Sequence, residues 1–358
     1  MTYRLPLMQN TWGTDERQAM LDVFDSGFIT MGKRVRQFEE EFADYVHAKH
    51  AIMVNSGSSA LLLAAFWLRE ARPEFQVLSC PAVTWPTSAW PFMQAGFEIE
   101  FVDVRPDTLT ANLSDIAVHL MGNYTDNWLV EDACEAIKPL TGAIGCYSFH
   151  FSHHMSTGEG GMVVTNDNTA ADWLRSFRAS GWSRNGSDTW RTMVERDNPD
   201  IDPRFLFPNW GVNVKPLELA GAIGSVQLKR LPAFNARRKE LWETWKKQLP
   251  HPFVTMKETH PDVVPFALPI MAQDRDGKER LVHHLEAAGV ETRPIAGGNL
   301  TRQPAMRRHR DKWTAGPLPG ADHIHDCAIF VGLHPQMTDA DMQYLIDVLG
   351  QVAEREAA

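Results

Sequence analysis

The sequence predicts an α/β protein with a mainly parallel central sheet and a smaller C-terminal α+β domain. Short apolar runs alternate with helical patterns through most of the chain, which is typical of parallel strands joined by crossover helices. After about residue 235 the pattern changes to a long polar helix, fewer strands and a Gly/Pro-rich stretch. We therefore expect a large domain at residues 1–235 and a small domain at residues 236–358.

The large domain begins with two amphipathic helices. The first is expected at 14–26, with Thr14 as its N-cap and Gly27 after its end, and the second at 33–47. Short apolar runs between turn residues then predict buried strands. These strands are expected at 51–55, 76–80, 97–104, 127–133, 146–151 and 161–167.

Two helical patterns stand at the transition between the domains. A helix rich in small residues is expected at 217–231, and a long polar helix at 233–247. The small domain should then contain a strand at 263–271, a helix at 276–288 and a final helix near 338–353.

Composition and charge exclude several classes of protein. The 358 residues include 35 Lys plus Arg and 45 Asp plus Glu, a formal net charge of −10, which argues against a nucleic-acid binder. Neither a signal peptide nor a long apolar run is present, so we expect a cytoplasmic protein. The four cysteines lack CxxC spacing, which excludes a zinc ribbon or a disulfide framework.

Polar residues follow two of the predicted strands and could bind a ligand. The run 55–59 (NSGSS) stands at a strand-to-helix turn, where free N–H groups suit a phosphate, although an ordinary serine-capped helix would look the same. Glu131 and Asp132 end another strand, where α/β folds hold ligands. A carboxylate at such a position can bind a cationic group of a ligand, or it can cap a helix.

Three histidines, His150, His153 and His154, lie within five residues and invite comparison with a metal site. At strand spacing His150 and His154 share a face while His153 points elsewhere, and no acidic or cysteine partner stands at ligand spacing. We therefore expect no metal centre. Two further polar segments, at 211–216 and 292–300, are predicted loops. Each alone indicates no function, and they become informative only through their order among the other segments of the chain.

Taken in order, these segments resemble the sugar aminotransferases of the DegT/DnrJ/EryC1/StrS family, which depend on pyridoxal phosphate (PLP). The resemblance covers nearly the whole chain and implies PLP fold type I, the aspartate-aminotransferase-like fold. The motifs that carry it include VNSGSSALLLA, CPAVTWPTSAW, VEDACEAI, GAIGCYSFHFSHHMSTGEGGMVVTND and GVNVKPLELAGAIGSVQLKRL.

One position departs from the aminotransferases of this family. They carry a lysine, five residues after the serine of an SF motif, that binds the cofactor covalently. Counting from Ser148 gives His153, and no lysine occurs between Lys138 and Lys215. This change resembles the nucleotide-sugar 3-dehydratases of 3,6-dideoxyhexose biosynthesis, and the segment 291–306 (ETRPIAGGNLTRQPAM) is also similar to theirs. An imidazole cannot tether the cofactor, but it can move protons.

The dehydratase resemblance implies a reaction and a cofactor cycle. His153 would serve as acid and base in the loss of the 3-hydroxyl from a 4-keto-6-deoxyhexose, with pyridoxamine phosphate (PMP) as cofactor. No cysteine occurs from 147 to 326, which disfavours an iron–sulfur cluster. This absence favours the type that regenerates PMP with glutamate, like the GDP-4-keto-6-deoxymannose 3-dehydratases.

The resemblance also implies roles for individual residues. Asp132 would keep the pyridine nitrogen protonated, and Trp85 would cover one face of the ring. Asn213 would reach in from a second subunit, which implies a homodimer with shared active sites. Arg293 and Asn299 are candidates for substrate contact. The residues implied to bind the cofactor are Gly57, Ser58, Trp85, Asp132, Glu135, Ser148 and Asn213.

Two other functions stay open on the sequence. The chain could be an aminotransferase-like enzyme that uses free PMP on another ketone. Alternatively, it could be a non-catalytic relative that binds a sugar nucleotide without the lysine. Decay elsewhere in the site would favour the second, yet the phosphate turn, Asp132 and Trp85 are all present.

Overall fold

The computed structural model describes residues 3–125 and 129–357 as a layered α/β fold. The helices are α1 (Thr14–Asp25), α2 (Lys33–Tyr45), α3 (Gly57–Ala71), α4 (Trp90–Gln94), α5 (Asn168–Arg178), α6 (Asp188–Asp197), α7 (Glu218–Gln248), α8 (Arg275–Ala287), α9 (Pro304–Arg308), α10 (Pro319–Cys327) and α11 (Asp339–Ala357). The strands are β1 (His50–Val54), β2 (Val77–Pro81), β3 (Glu98–Val102), β4 (Ile116–Val118), β5 (Val130–Asp132), β6 (Ile144–Ser148), β7 (Gly161–Thr165), β8 (Leu268–Met271), β9 (Thr292–Pro294), β10 (Trp313–Ala315) and β11 (Ala328–Val331). Residues 127 and 128 of the predicted strand at 127–133 lie outside the described residues.

The central sheet confirms the predicted mainly parallel α/β class. Its five strands run in the order β1-β7-β6-β5-β4, in which β4, β5 and β6 are parallel and β7 is antiparallel to both of its neighbours. The parallel strands β2, β3 and β10 form a second sheet. It meets the first where Ser79 Oγ donates a hydrogen bond to Asp115 at 2.6 Å.

Both faces of the central sheet are covered, as an α/β sheet requires. On one face, Ile52, Val54 and Val163 pack in the main core with the apolar side of α3. Alternate residues point the other way, where Met53 and Tyr147 join a cluster that includes apolar residues of α2. The period-2 alternation of the strands thus decides which side chains reach each layer.

Helix α7 is a correction to the sequence prediction. The two helices expected at 217–231 and 233–247 form one helix of 31 residues that continues through Pro232. Its glycines allow α2 to approach closely, because a Cβ at Gly221 would lie 2.7 Å from Cα of Val35. The predicted domain boundary therefore falls inside a continuous helix, and the division at residue 235 stays a prediction.

The C-terminal part is not confined to one layer. Its own sheet has the order β8-β11-β9, with antiparallel pairs. Strand β10, however, pairs with β3 of the large part. Near the N-terminus, Leu5 pairs with Val290 of the small part. The chain therefore crosses between the two parts more than once.

The start of α1 is a second, smaller correction. Gly13 is the N-cap rather than Thr14, and its N–H donates to the Glu16 carboxylate at 2.7 Å. Glu16 supplies this contact because its buried side chain also binds Arg230. No helix within the described residues is long and apolar enough to cross a membrane.

Candidate active site

The turn between β1 and α3 is the predicted phosphate site. Ser56 caps α3, accepting the Ser59 N–H at 3.1 Å, while the N–H groups of Gly57 and Ser58 in the first turn have no intrahelical acceptor. Ser58 Oγ lies 2.9 Å from Thr87 Oγ1. The serine-capped helix and the phosphate site, which the sequence left as alternatives, are therefore compatible.

Asp132 lies at the end of β5 as a buried carboxylate without a cationic partner. Its Oδ2 accepts a hydrogen bond from Ser88 Oγ at 2.6 Å, and its Oδ1 accepts the N–H of Cys134 at 3.2 Å. Across the described ranges no lysine, arginine or histidine forms an ion pair with it. A buried carboxylate of this kind fits a protonated ring nitrogen of a ligand.

The neighbouring Glu131 takes a different role, because successive strand residues face opposite sides of the sheet. It accepts hydrogen bonds from His119 Nε2 at 3.1 Å and from Thr141 N at 2.8 Å, and it also pairs with Lys138. These contacts consume both carboxylate oxygens. Glu131 is thus a structural anchor, while Asp132 faces the candidate site.

His153 lies in the turn after β6, where its N–H donates to the His150 carbonyl at 3.0 Å. The imidazole is half-buried, and its Nδ1 has no hydrogen-bond partner among the residues that the structure describes. Burial, followed by the nearby His150 and more weakly Arg238, lowers the pKa of His153 to about 3. The ring is therefore neutral near pH 7 and able to accept a proton.

The three neighbouring histidines do not converge on one point. The rings of His150 and His153 are in edge contact at 5.5 Å, whereas His154 is buried with its Nε2 3.1 Å from the Val264 carbonyl oxygen. Sequence analysis missed Phe266, whose ring packs against both His153 and His154. No sequence signal marked it, since Phe266 lies more than a hundred residues away.

Trp85 is available to a ligand, with 60% of its surface exposed. The backbone before it is held by the C-terminal part of the chain, because Leu300 N donates to the Ala82 carbonyl at 2.8 Å and Gly297 N to that of Thr84 at 3.1 Å. The dehydratase-like segment at 291–306 thus braces the strand end that presents Trp85.

The two candidates for substrate contact lie in different surroundings. Asn299 is buried, and its Oδ1 caps Thr301 while its Nδ2 donates to Asp322 at 2.9 Å. These bonds occupy both ends of its side chain. Arg293 is exposed and pairs with Glu291 at 2.7 Å. Their contact with substrate stays a prediction.

Of the remaining predicted cofactor residues, Ser148 and Glu135 lie near Gly57 and Asp132, whereas Asn213 lines a different cavity. Ser148 is buried at the end of β6 and faces the first turn of α3. Glu135 accepts the Met121 N–H at 2.7 Å, and burial together with the charge of Asp132 raises the pKa of Glu135 to about 7. Asn213 is exposed on the wall of a separate cavity of about 1160 Å³, and its contribution to another subunit stays a prediction.

Comparison with known proteins identifies the family of this chain. The sequence profile of the DegT/DnrJ/EryC1/StrS aminotransferase family matches residues 10–350. The chain belongs to this family. GDP-4-keto-6-deoxy-D-mannose 3-dehydratase of Yersinia pseudotuberculosis is a similar member, 31% identical over 384 aligned positions that cover 96% of this chain and 98% of that protein.

Two solved structures of the family resemble this fold closely. A mutant GDP-4-keto-6-deoxymannose 3-dehydratase with bound GDP-perosamine superimposes with a TM-score of 0.86 at 30% identity, covering 97% of this chain and all of that one. The same enzyme with a trapped PLP–glutamate geminal diamine gives 0.84 at 31% identity, with 97% and 100% coverage. PLP fold type I, expected from the sequence, is confirmed.

The residues of this chain fit the family's cofactor. Gly57 leaves room for the close approach of α3 to β6, since a Cβ there would lie 2.7 Å from Ser148 Cβ. The first turn of α3 provides donors for a phosphate, Asp132 provides an unbalanced buried charge for the ring nitrogen, and Trp85 provides an open aromatic face. When bound, PLP or PMP supplies an electron sink for bond breaking next to the reacting carbon.

Proposed function

We propose that this protein is a PMP-dependent nucleotide-sugar 3-dehydratase that removes the 3-hydroxyl of a GDP-4-keto-6-deoxymannose-like substrate, with His153 as its acid and base. The observation that carries the proposal is a histidine in place of the family's cofactor-binding lysine, beside Asp132, Ser148 and the first turn of α3, which fit the cofactor. The lysines on either side cannot replace it. Lys138 is buried in the Glu131 cluster, and Lys215 lies on the wall of the other cavity.

The residues of the site divide the work between holding and proton transfer. The first turn of α3 with Ser58 binds phosphate, while Asp132 keeps the ring nitrogen protonated and Ser88 orients that carboxylate. Neutral His153 removes a proton next to the cofactor and then delivers it to the departing 3-hydroxyl, which leaves as water. A single imidazole can do both, because each proton taken up is returned within the same turnover.

A homodimer is part of the proposal. Two large apolar side chains on the wall of the cavity that Asn213 lines are exposed to solvent, with Phe28 at 55% and Leu217 at 52%. Exposed apolar groups on one surface are typical of protein–protein contact. Burying this surface between two subunits would bring Asn213 towards the site of the partner, as the sequence resemblance implies.

Glutamate is proposed as the amino donor that regenerates PMP. The support comes from the similar dehydratase that was solved with a trapped PLP–glutamate adduct. The cytoplasmic location also stays a proposal. If the protein were instead an aminotransferase that acts on another ketone, the experiment that follows would give an amino sugar as its product.

The test is to incubate the protein with PMP, glutamate and GDP-4-keto-6-deoxymannose, and to follow the nucleotide sugar by mass spectrometry. We expect a product lighter by one oxygen atom and an equal amount of 2-oxoglutarate. His153→Asn should lower turnover by about 10²–10⁴-fold, the usual contribution of acid–base catalysis. His283→Asn is the matched control, because His283 is exposed on α8 and the same substitution there should leave turnover unchanged.

Three outcomes would contradict the proposal. An amino sugar as product would show an aminotransferase. No conversion of any 4-keto nucleotide sugar, together with retained nucleotide-sugar binding, would show a non-catalytic relative. Full dehydration by His153→Asn would place the base elsewhere.

A further inference from the structure

Arg238, on α7, is a buried guanidinium to which the reaction proposed above assigns no role. Only 2% of its surface is exposed. Its Nη1 donates to the carbonyl oxygens of Phe266, at 2.8 Å, and of Leu333, while its Nε has no hydrogen-bond partner in the described part of the chain. Within residues 3–125 and 129–354 no carboxylate forms an ion pair with it. Because a buried charge without a counter-charge is costly, its position requires a reason.

The backbone that Arg238 holds lies against the proposed catalytic base. The Phe266 ring stands nearly perpendicular to the His153 ring, with centroids 5.4 Å apart. Two residues earlier, the Val264 carbonyl accepts from His154 at 3.1 Å. The segment 264–266 therefore contacts both histidines, and Arg238 fixes its end. A shift of this segment would move the wall against which His153 packs.

The groups around His153 are mainly potential cations. His150 lies in edge contact with it, and His150 Nε2 is 3.8 Å from a carboxylate oxygen of Glu159. His154 follows His153 in the turn, and Arg238 on α7 binds the carbonyl of Phe266, whose ring packs against His153. Burial, followed by the charge of Arg238, also holds the pKa of His154 well below its usual range. Burial lowers the pKa of Arg238 itself only to about 10, so the guanidinium stays charged.

His334 completes the surroundings of the guanidinium. It lies beyond β11, and burial together with the charge of Arg238 lowers its pKa to about 4, although Asp341 on α11 acts in the opposite direction. Three histidines near Arg238 are thus kept neutral. The positive charge in this part of the site is concentrated on one group that does not titrate near neutral pH.

Resting on the dehydratase function, we propose that Arg238 is a positioning residue for His153, acting through the Phe266 carbonyl and through a buried positive charge that no carboxylate balances. In the reaction, His153 takes a proton from carbon. The electron pair of the broken C–H bond moves towards C3, and the C3–O bond breaks with its own electron pair going to oxygen. The proton then passes from the imidazolium to that oxygen, and water leaves. A nearby positive charge disfavours the imidazolium and so makes it a stronger acid for this last transfer.

The proposal separates leaving groups that need a proton from those that do not. A 3-deoxy-3-fluoro analogue of the substrate loses fluoride, which departs as a stable anion, and the proton on His153 then goes to solvent. Loss of the Arg238 charge should therefore slow departure of the hydroxyl much more than departure of fluoride. A residue that only stabilised the fold would affect both substrates equally.

The experiment compares kcat for the two substrates in the PMP-loaded enzyme and in four variants. Arg238→Met and Arg238→Gln should lose about tenfold or more on the hydroxyl substrate, by the scale of acid–base catalysis, and less than about threefold on the fluoro substrate. Arg238→Lys keeps the charge and should keep the wild-type ratio of the two rates. Arg237→Met is the matched control, since Arg237 bonds Glu240 and Asp339 and should leave the ratio unchanged.

Equal losses on both substrates in Arg238→Met, or no loss on either, would overturn the proposal. Thermal melting of each variant shows which proteins are folded at the assay temperature. If the Met variant does not fold, the Gln variant, which keeps an N–H donor for the carbonyls, carries the comparison. If the ratio of the rates on the two substrates in Arg238→Lys differs from that of the wild type, this result alone refutes the role of the charge. If the wild-type enzyme does not convert the hydroxyl substrate at all, it is the dehydratase function that fails.

Discussion

Gly57 begins α3 at the candidate phosphate turn, and we expect its replacement by alanine to weaken both the fold and cofactor binding. The added Cβ would lie 2.7 Å from Cys134 Sγ and 2.7 Å from Ser148 Cβ, closer than Cβ atoms approach their neighbours in folded proteins. The Cys134 thiol can turn aside, but Ser148 Cβ is fixed on the buried strand β6. The first turn of α3 must therefore move, and overpacking of this kind costs about 1–3 kcal/mol.

Urea denaturation and titration with PMP measure the two consequences separately. We expect Gly57→Ala to lower the free energy of unfolding by that amount. It should also weaken PMP binding by about tenfold or more, since about 1.4 kcal/mol of lost phosphate contact corresponds to tenfold in affinity. Gly350→Ala in α11 is the control, because a Cβ there has no neighbour within 4 Å. Alanine in that helix should stabilise the protein by up to about 1 kcal/mol. Wild-type stability and PMP affinity in Gly57→Ala would refute the reasoning.

The remaining predictions concern three carboxylate and imidazole positions. Asp132→Asn should lower turnover strongly and PMP affinity much less, because the phosphate contacts remain; near-normal turnover would mean that the ring nitrogen has another partner. His153→Lys should lose dehydration and give a borohydride-stable PLP adduct at residue 153, whereas the wild type should give none within 146–161; an adduct on a wild-type lysine in the site would contradict the untethered cofactor. Although burial opposes ionisation, His119 and Lys138 hold the pKa of Glu131 at about 2, below its ordinary 4.5. This difference corresponds to about 3 kcal/mol of stability, present above pH 4.5 and lost as the pH falls towards 2. Glu131→Gln should therefore lower the urea midpoint at pH 7 and reduce its change between pH 7 and about pH 2.5, and an unchanged pH dependence would count against this ion cluster.

Several parts of the site could be predicted from the order of residues along the chain. Gly57, Asp132 and Ser148 each stand where a strand ends, and the ends of neighbouring strands meet at one edge of a sheet. Their proximity thus follows from the pattern of strands. The position of His153 relative to Ser148 is a matter of counting, and the roles of these residues with the cofactor stay predictions until they are tested.

Other expectations from local sequence were incomplete. Thr14 has the side chain of an N-cap, yet Gly13 takes that position because Glu16 is held in place by Arg230 on α7. The sequence predicted separate helices on either side of Pro232, but α7 continues through it. In both places contacts between distant segments outweighed a local preference, which is worth only about 1–3 kcal/mol.

The sequence by itself determined the fold class, the strand-end residues and the departure at His153, because each depends on residue type and spacing within a short segment. The tertiary structure decided which of the two adjacent carboxylates faces the site, and that Asn299 is a capping residue. It also placed Ser88, Phe266 and Arg238 around Asp132 and His153. Some of these contacts join segments that lie more than a hundred residues apart. They depend on how layers pack and on whether a buried charge finds a partner, and neither property is encoded in any single stretch of the chain.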